Sequence, residues 1–370
     1  MREAMWEYLI PSPSEKENLW DKCIFVFDAN VLLNLYRYTS NTRDALLAAF
    51  DDLKDRIWLP HQVVFEFAKN RFEVIFETVE KYKKLETLEH DFLTQYKTEL
   101  RIKDTDQSIV QLQQSIESWI SEQKRKNLLV TNASDDKILE KLLTIFSGKV
   151  GSAFSKEEME KVSKEGKERY EKQIPPGFCD SKKEKDTSEN NAYGDLVVWK
   201  QILDYSSSGH YDIIFVTHDQ KKDWWLISKG RTVGPRIELR KEFAQVTNHS
   251  FYMYSMENFI EQYSRKKGHT ADRNILDEVI QIDNVSKRNK RAKKASDPNN
   301  NVSRIEQNIF SIQGQIARRQ RIVEDLRYKY KDRPMPPNVF TQIYNTENKI
   351  AQLQHQLSVK RAELLSAHNS

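Results

Sequence analysis

The 370-residue chain is poor in cysteine, and its two cysteines, Cys23 and Cys179, are too few for a disulfide framework or a cysteine-based zinc cluster. Such a composition suits a reducing compartment, so we expect a cytoplasmic protein. No apolar run reaches the roughly 20 residues that a membrane-spanning helix needs. The amphipathic segment at the N-terminus also lacks the apolar core of a signal peptide. We therefore expect neither secretion nor insertion into a membrane.

Several patterns of known active sites are absent as well. The chain has no GxSxG, HExxH, GxxxxGK[S/T] or GxGxxG pattern. This removes the usual signals of serine hydrolases, zinc proteases, P-loop proteins and dinucleotide-binding enzymes. The net charge of +4 is too small to indicate nucleic acid by itself. The sequence therefore favours a site whose side chains lie far apart in the chain.

Short apolar runs alternate with helical patterns, which is typical of α/β proteins with a parallel sheet. The runs at 23–27 and 213–216 are wholly apolar, and further strands are predicted at 56–59 and 251–256. Helical patterns follow the strands 23–27, 56–59 and 251–256, and an apolar helix beginning at Gly194–Asp195 precedes the strand 213–216. Pro60 suits the first turn of the helix after 56–59. The sequence therefore predicts an α/β domain.

The rest of the chain is predicted to be helical. Residues of about 70–174 keep apolar side chains at helical spacing, and Ser155 with Glu158 forms a capping box. Near the C-terminus, apolar residues alternate at spacings of three and four on two segments separated by prolines, which predicts a coiled-coil-like hairpin. We assign residues 1–265 to the α/β domain with its insertion, 266–301 to a basic linker, and 302–370 to the helical hairpin.

Acidic residues follow both wholly apolar strands. Asp28 comes directly after the first strand, and Asp219 follows the strand 213–216. Ligands of open α/β sheets bind beyond the carboxyl ends of the strands, so the two aspartates face one crevice if their strands are neighbours. Asp195 begins a helix directly after Gly194, where the helix dipole stabilises its charge. Glu66 lies on an otherwise apolar helix and needs a partner or a cation, because burying it alone is costly.

Several carboxylates that converge on one point repel one another unless a cation lies among them. Hard divalent ions such as Mg²⁺ prefer oxygen ligands and keep several bound waters. Such an ion can generate hydroxide from water and stabilise the oxygens of a phosphodiester during hydrolysis. This chemistry requires no nucleophilic serine or cysteine.

Four segments resemble the PIN domain superfamily in content and order: FDANVLLNLY, Glu66 in FEFAKNRF, GDLVVWKQIL and FVTHDQKKDWW. The run from PPGFCD to GPRIELRKEF is similar to a bacterial PIN-like subgroup larger than its toxin-type members. The resemblance covers about residues 20–263, apart from the helical insertion. It implies an α/β/α sandwich with a mainly parallel sheet, and a Mg²⁺- or Mn²⁺-dependent nuclease specific for single-stranded RNA.

The resemblance also implies roles for individual residues. By this resemblance, Asp28, Glu66, Asp195 and Asp219 are expected to bind metal and to act in catalysis. Asn30 and Thr217 are expected to support the site. Further candidates are Asp223 and, more distantly, Asp180 as additional acids, with Lys221, Lys222, Arg231 and Arg236 as phosphate-binding cations.

Other interpretations stay open for many of these residues. Asp28 and Asp195 also suit helix caps, and Asp223 also suits a surface position. Glu66 also suits a buried ion pair with Lys69 or Arg71. The cations also suit a solvated surface. His218 fits either a catalytic role or structural packing, and the pair Trp224–Trp225 fits either stacking on bases or packing in the core. The basic stretch 287–294 fits either nonspecific nucleic-acid binding or a linker, and the hairpin can fold within one chain or pair with a protein partner or a second copy.

The expected function is that of a PIN-type endonuclease that acts on RNA, as a toxin or a phage-defence effector. One alternative is a nuclease for DNA flaps or single strands, since related folds act on DNA. Another is a scaffold protein that binds nucleic acid and has lost catalysis. The complete set of acids argues against the scaffold.

Overall fold

The computed structural model of the chain describes residues 3–99, 101–103, 106–127, 135–179, 193–282, 298–330 and 334–368. Two compact units are formed, Met1–Asp283 and Asn284–Ser370. Asp180 and the basic stretch 287–294, which the sequence singles out, lie outside the described residues.

The first unit contains a parallel sheet and a separate two-stranded hairpin. The strands are β1 (Ile24–Phe27), β2 (Ile57–Trp58), β3 (Ile213–Thr217), β4 (Trp225–Ser228), β5 (Arg231–Pro235) and β6 (Phe251–Ser255). The sheet has the order β2-β1-β3-β6, and all of its neighbouring strands are parallel. Strands β1 and β3 lie at its centre, where both faces are covered, which explains their wholly apolar sequences.

Helices make up most of the chain. They are α1 (Pro13–Lys22), α2 (Ala29–Asn34), α3 (Ser40–Asp52), α4 (His61–Glu99), α5 (Gln107–Asn127), α6 (Lys137–Ile145), α7 (Lys156–Glu171), α8 (Gly194–Gly209), α9 (Ile237–Thr247), α10 (Met256–Lys266), α11 (residues 273–282), α12 (Pro298–Lys329) and α13 (Pro337–His368). Short 3-10 turns at Glu3–Tyr8 and Lys54–Arg56 complete them.

Aromatic side chains pack helices onto both faces of the sheet. On one face, Phe25 contacts Phe259 of α10 at a ring-centroid distance of 5.8 Å. On the other face, Phe251 lies 4.9 Å from Trp199 of α8. Successive residues of a strand point to opposite faces, and the sheet register puts Phe25 and Phe251 on opposite sides. The unit is therefore the α/β/α sandwich that the sequence predicts.

The predicted helical insertion is present, and it begins inside a helix. The 39-residue helix α4 starts in the core and continues outward. There it packs against α5, where the Lys124 ammonium pairs with Glu86. A buried ion pair ties α4 to the start of α6, because Arg71 Nη1 lies 2.9 Å from Asp136 Oδ2. The capping box of Ser155 and Glu158 begins α7, as the sequence predicts.

The β4–β5 hairpin and helix α9 were not predicted from the sequence. The strands of the hairpin are short and largely exposed, so they lack the apolar runs that marked the sheet strands. Helix α11 lies within the predicted basic linker 266–301, where the sequence indicates a short helix between two basic runs. Its side chain Val279 is fully buried in the core of the first unit.

The second unit contains α12 and α13, which form the predicted helical hairpin. Its small core consists of Val323, Val339 and Ile343. An ion pair between Arg327 and Glu347 links the two helices at 2.7 Å. Within the described ranges, no helix combines the length and the apolar character that crossing a membrane requires.

Candidate active site at the carboxyl ends of β1 and β3

The adjacent strands β1 and β3 bring Asp28 and Thr217 together. Asp28 caps the N-terminus of α2, and its Oδ1 accepts a hydrogen bond of 2.7 Å from the Ala29 amide. The Thr217 hydroxyl donates to Asp28 Oδ2 at 2.6 Å. Asn30 also donates to Asp28 Oδ2 through its side-chain amide. The Asp28 carboxylate is therefore fixed by three donors, including both residues predicted to support the site.

The same polar residues fix the loop that follows β3. The Asn30 side-chain oxygen accepts from the His218 amide at 3.0 Å, and Thr217 Oγ1 accepts from the Asp219 amide at 2.9 Å. Asp219 Oδ1 in turn accepts from the Lys221 amide at 2.8 Å. This network joins Asp219 to Asp28 across about 190 positions of sequence.

The Asp28 carboxyl is affected by burial and by other acidic side chains. Burial raises the pKa of the Asp28 carboxyl from 3.8 to about 6, and the negative charges of Glu66 and Asp219 contribute to the rise. The hydrogen bond from Thr217 opposes it. The position of Asp219 follows from geometry, because Thr217 Oγ1 donates to Asp28 and accepts from the Asp219 amide.

Helices α4 and α8 add Glu66 and Asp195. The Gln62 side chain, one turn earlier on α4, donates to Glu66 Oε1 at 2.8 Å. Glu66 lies against the start of α8, because a Cβ atom on Gly194 would meet Glu66 Oε1 at 2.7 Å. Asp195 follows directly in the first turn of α8. Gly194 therefore allows the two acids to approach each other.

Lys221 forms ion pairs with two of the acids. Its ammonium nitrogen lies 3.0 Å from Asp219 Oδ2 and 3.6 Å from Asp195 Oδ2. Among the residues that the structure describes, no three His, Cys, Asp or Glu side chains are grouped so as to hold a metal ion. A cation of the protein itself lies between two of the carboxylates.

The other predicted cations have different surroundings. Lys222 is exposed, and its ammonium lies over the ring of Phe178 at 6.0 Å. Arg236 forms an ion pair with Glu238 across the start of α9. Arg231 is exposed at the beginning of β5.

Asp223 is fully buried, so its interpretation as a surface residue is wrong. Its Oδ2 accepts a hydrogen bond of 3.0 Å from the Cys179 amide. Burial raises the pKa of the Cys179 thiol to about 11, with a further contribution from Asp223. The thiol is therefore protonated at neutral pH and is a poor nucleophile. In this structure Asp223 anchors the loop that contains Gly177 and Cys179.

Other residues singled out from the sequence have packing or hydrogen-bond partners of their own. Trp224 and Trp225 are buried in the core, so they do not offer a surface for stacking bases. His218 Nε2 is hydrogen-bonded to the Tyr38 hydroxyl at 3.0 Å. Arg71 pairs with Asp136 rather than serving as the partner of Glu66.

Two parts of the site were not recognised in the sequence. Gln62 supports Glu66 from four residues earlier, a spacing that places both side chains on one helix face. Gly177 has a positive φ of 91°, and a Cβ there would meet Asp195 Cβ at 3.2 Å and the Tyr170 hydroxyl oxygen at 2.2 Å. The PPGF sequence is a signal for such a turn, but not for its contact with Asp195.

Comparison with known proteins places these residues in a family. The family described as the PIN like domain matches residues 24–239, which is more than half of the chain and runs from β1 into α9. The four acids Asp28, Glu66, Asp195 and Asp219 all lie within the matched range. No curated protein and no solved structure matches the chain.

Proposed function

The chain belongs to the PIN-like domain family, and from this premise we propose that it is an endonuclease that hydrolyses single-stranded RNA with a divalent metal ion. PIN domains are in general metal-dependent nucleases, so the family indicates nuclease chemistry and binding of nucleic acid. The choice of RNA, the endonucleolytic mode and the ion are parts of the proposal.

The observation that carries the proposal is the concentration of carboxylates around Asp28. Thr217 joins Asp28 to Asp219 through hydrogen bonds, and Glu66 lies against the start of the helix that carries Asp195. Burial raises the pKa of Asp28 to about 6, with contributions from Glu66 and Asp219. Folding brings such groups together at a cost, and perturbed pKa values are characteristic of functional sites. A purely structural role for Asp28, as the cap of α2, requires neither Glu66 nor Asp219 as neighbours.

The donor set is chemically suited to Mg²⁺ or Mn²⁺, because it consists of carboxylate oxygens. Asp28, Glu66, Asp195 and Asp219 would hold the ion. When bound, the ion would supply an activated water and stabilise charge on the phosphodiester oxygens. Lys221 would then have to exchange its contacts with Asp195 and Asp219 for contacts with the phosphate.

The residues of the chain have separable tasks in this mechanism. Asn30 and Thr217 orient Asp28, and Gln62 orients Glu66. A water oxygen forms the new bond to phosphorus, the bond from phosphorus to the 3′-oxygen breaks, and the proton of the attacking water passes to the solvent. The leaving 3′-oxygen takes up a proton from the solvent. The products carry 5′-phosphate and 3′-hydroxyl ends. Ends with 2′,3′-cyclic phosphate would contradict this mechanism, because they arise from attack by the ribose hydroxyl.

The proposal is tested with wild type, Asp28→Asn and Asp44→Asn proteins on single-stranded RNA and DNA of one sequence. Asp44 is an exposed acid that pairs with Lys141 and serves as the matched control. We expect RNA cleavage in Mn²⁺ by wild type and Asp44→Asn, and none with EDTA or with Asp28→Asn. Cleavage of DNA alone would favour the DNA nuclease, and the absence of cleavage of both polymers would favour the non-catalytic scaffold.

A role as a toxin or as a phage-defence effector is the biological part of the proposal. It is supported by the resemblance to bacterial PIN-like proteins. Induced expression of wild type and Asp28→Asn in a bacterial host tests it, with growth and phage plaque counts as readouts. Equal growth and equal plaque counts for the two proteins would contradict both roles.

A further inference from the structure

Helix α4, which carries Glu66, also exposes three phenylalanine rings. Phe65, Phe72 and Phe76 are exposed to 49%, 42% and 59%. Residues seven and eleven positions apart return to nearly the same side of an α-helix. The three rings therefore form one line along α4, which we call the α4 aromatic stripe. Large apolar groups aligned at the surface indicate a binding surface.

The stripe begins next to the acidic site. Phe65 directly precedes Glu66 in the sequence, so the first ring and the carboxylate leave neighbouring positions of the same helical turn. At about 1.5 Å of rise per residue, the stripe extends roughly 16 Å from Phe65 to Phe76. A single strand of nucleic acid that lies along the stripe would therefore have one end near the carboxylates.

The central ring of the stripe is held in place by buried groups. The Arg71 guanidinium lies 4.6 Å from the centroid of Phe72. Arg71 is itself buried and bound to Asp136, whose Oδ2 also accepts a hydrogen bond from the Tyr36 hydroxyl at 2.8 Å. Because this support is already formed, Phe72 loses little conformational freedom when a ligand stacks on it.

The residues between the rings do not suit a helical protein partner. A helix–helix seam needs apolar side chains at every spacing of three or four residues. Between Phe65 and Phe72, these positions are occupied by the small Ala68 and by the exposed Lys69. Separate rings with an interposed cation instead resemble the platforms that bind single strands, where bases stack and cations contact phosphates.

We propose that the α4 aromatic stripe binds single-stranded nucleic acid, with bases stacked on Phe65, Phe72 and Phe76 and a phosphate near Lys69. The inference rests on the proposed nuclease function and specifies how the substrate strand is recognised. It also gives a physical reason for preferring single strands, since the bases of a duplex already stack on one another and do not present free faces.

Binding of fluorescent single-stranded RNA and DNA of one sequence tests the proposal by anisotropy in EDTA, where metal-dependent cleavage does not occur. We expect Phe72→Ala and Phe76→Ala each to weaken binding at least about fivefold, as the loss of one stacked base implies. Phe92→Ala is the matched control, since Phe92 is 52% exposed on the same helix but on the opposite side. It should bind like wild type.

Salt dependence separates stacking from phosphate contacts. Lys69→Met should reduce the slope of log K against log salt concentration by about 0.7, while Phe72→Ala leaves the slope unchanged. Affinities of Phe72→Ala and Phe76→Ala equal to wild type would overturn the proposal, as would an equal loss in Phe92→Ala. A change in molar mass by light scattering, without a change in strand binding, would assign the stripe to a protein interface and overturn it as well.

The two proposals fail in different ways. If wild type binds single strands through the stripe but cleaves neither polymer, the stripe proposal stands and the nuclease proposal fails. If wild type cleaves RNA while Phe72→Ala and Phe76→Ala keep full affinity, the nuclease proposal stands and the stripe proposal fails.

Discussion

Asp28 is the residue whose ionisation is most directly tied to the proposed chemistry. Its raised pKa means that the folded protein binds a proton more tightly than the unfolded chain does. Between about pH 4 and pH 6 the folded state therefore holds more protons at this group, and stability falls as the pH rises through this range. Above about pH 6 the Asp28 carboxyl is ionised in both states, and the folded state is then less stable than at pH 4 by roughly 1–3 kcal/mol.

Asp28→Asn removes this titration. We expect the unfolding free energy of wild type, minus that of Asp28→Asn, to decrease by roughly 1–3 kcal/mol between pH 4 and pH 7. Urea unfolding of both proteins at several pH values measures this difference. The experiments are done in EDTA, because bound metal would otherwise stabilise the ionised carboxylate. A difference that is constant or rises with pH would show that Asp28 is not buried among like charges.

Lys221 is expected to compete with a metal ion for the acids. Its ammonium contacts two of the carboxylates that would hold the ion. Lys221→Met should therefore bind Mn²⁺ more tightly, by roughly two- to tenfold for the loss of two partly exposed ion pairs. Isothermal titration calorimetry measures the change. Lys222→Met alters the net charge equally at an exposed neighbouring position, and an equal effect there would contradict direct competition.

The acids of the site could be proposed from the sequence, whereas their immediate partners could not. Asp28 and Asp219 follow apolar strands, and this position at the sheet edge is readable from residue order. The contact of Lys221 with Asp195 and the burial of Asp223 depend on the path of the loop after β3. That path is determined by hydrogen bonds to Thr217 and Asn30, and no periodicity in the sequence reports it.

At the scale of elements, the junction of α4 and α8 depends on a glycine. An added methyl group at Gly194 would meet the tip of Glu66, a flexible group that can move at little cost to stability. Alanine is also the better helix former, by up to about 1 kcal/mol in a helix interior. We expect Gly194→Ala to remain as stable as wild type in thermal unfolding, yet to lose cleavage and Mn²⁺ affinity because Glu66 is displaced.

A double substitution shows whether Gly194 acts through Glu66. If it does, Gly194→Ala combined with Glu66→Gln should have the same Mn²⁺ affinity as Glu66→Gln alone. Additive losses would mean that the added methyl group disturbs Asp195 or the helix start instead.

The elements that the sequence predicted well are those with one dominant signal. Strands β1, β3 and β6 have apolar runs, and α7 has its capping box. The β4–β5 hairpin has neither, because it forms beside the sheet and keeps much of its surface in solvent. Its position depends on buried Trp224 and Trp225, whose side chains the sequence alone could assign to either core or surface.

At the scale of the whole molecule, every residue assigned to the proposed chemistry lies in one unit. The four acids, Lys221 and the α4 aromatic stripe all belong to Met1–Asp283. Helix α11 contributes to that unit, since Val279 packs in its core and Glu278 accepts hydrogen bonds from Thr39. The shift from an α/β pattern to two long amphipathic helices predicts the hairpin of α12 and α13, whereas the predicted end of the first domain at residue 265 leaves out α11. The contribution of α11 was not visible, because its helix is short and flanked by basic residues.

The two units are expected to be separable. A protein truncated after Asp283 keeps the complete core and site of the first unit, whereas truncation after residue 265 removes α11 and exposes the surface that Val279 covers. We expect the 1–283 protein to unfold cooperatively and to cleave RNA at a rate within about threefold of the full chain, as a domain with its own core can do.

The 1–265 protein should be less stable, by about 1.5–3 kcal/mol for a lost valine contact alone. Urea unfolding and a single-turnover cleavage assay measure both properties. If the 1–283 protein is folded but inactive, the helices α12 and α13 take part in catalysis or in substrate binding, and the site is not contained in the first unit.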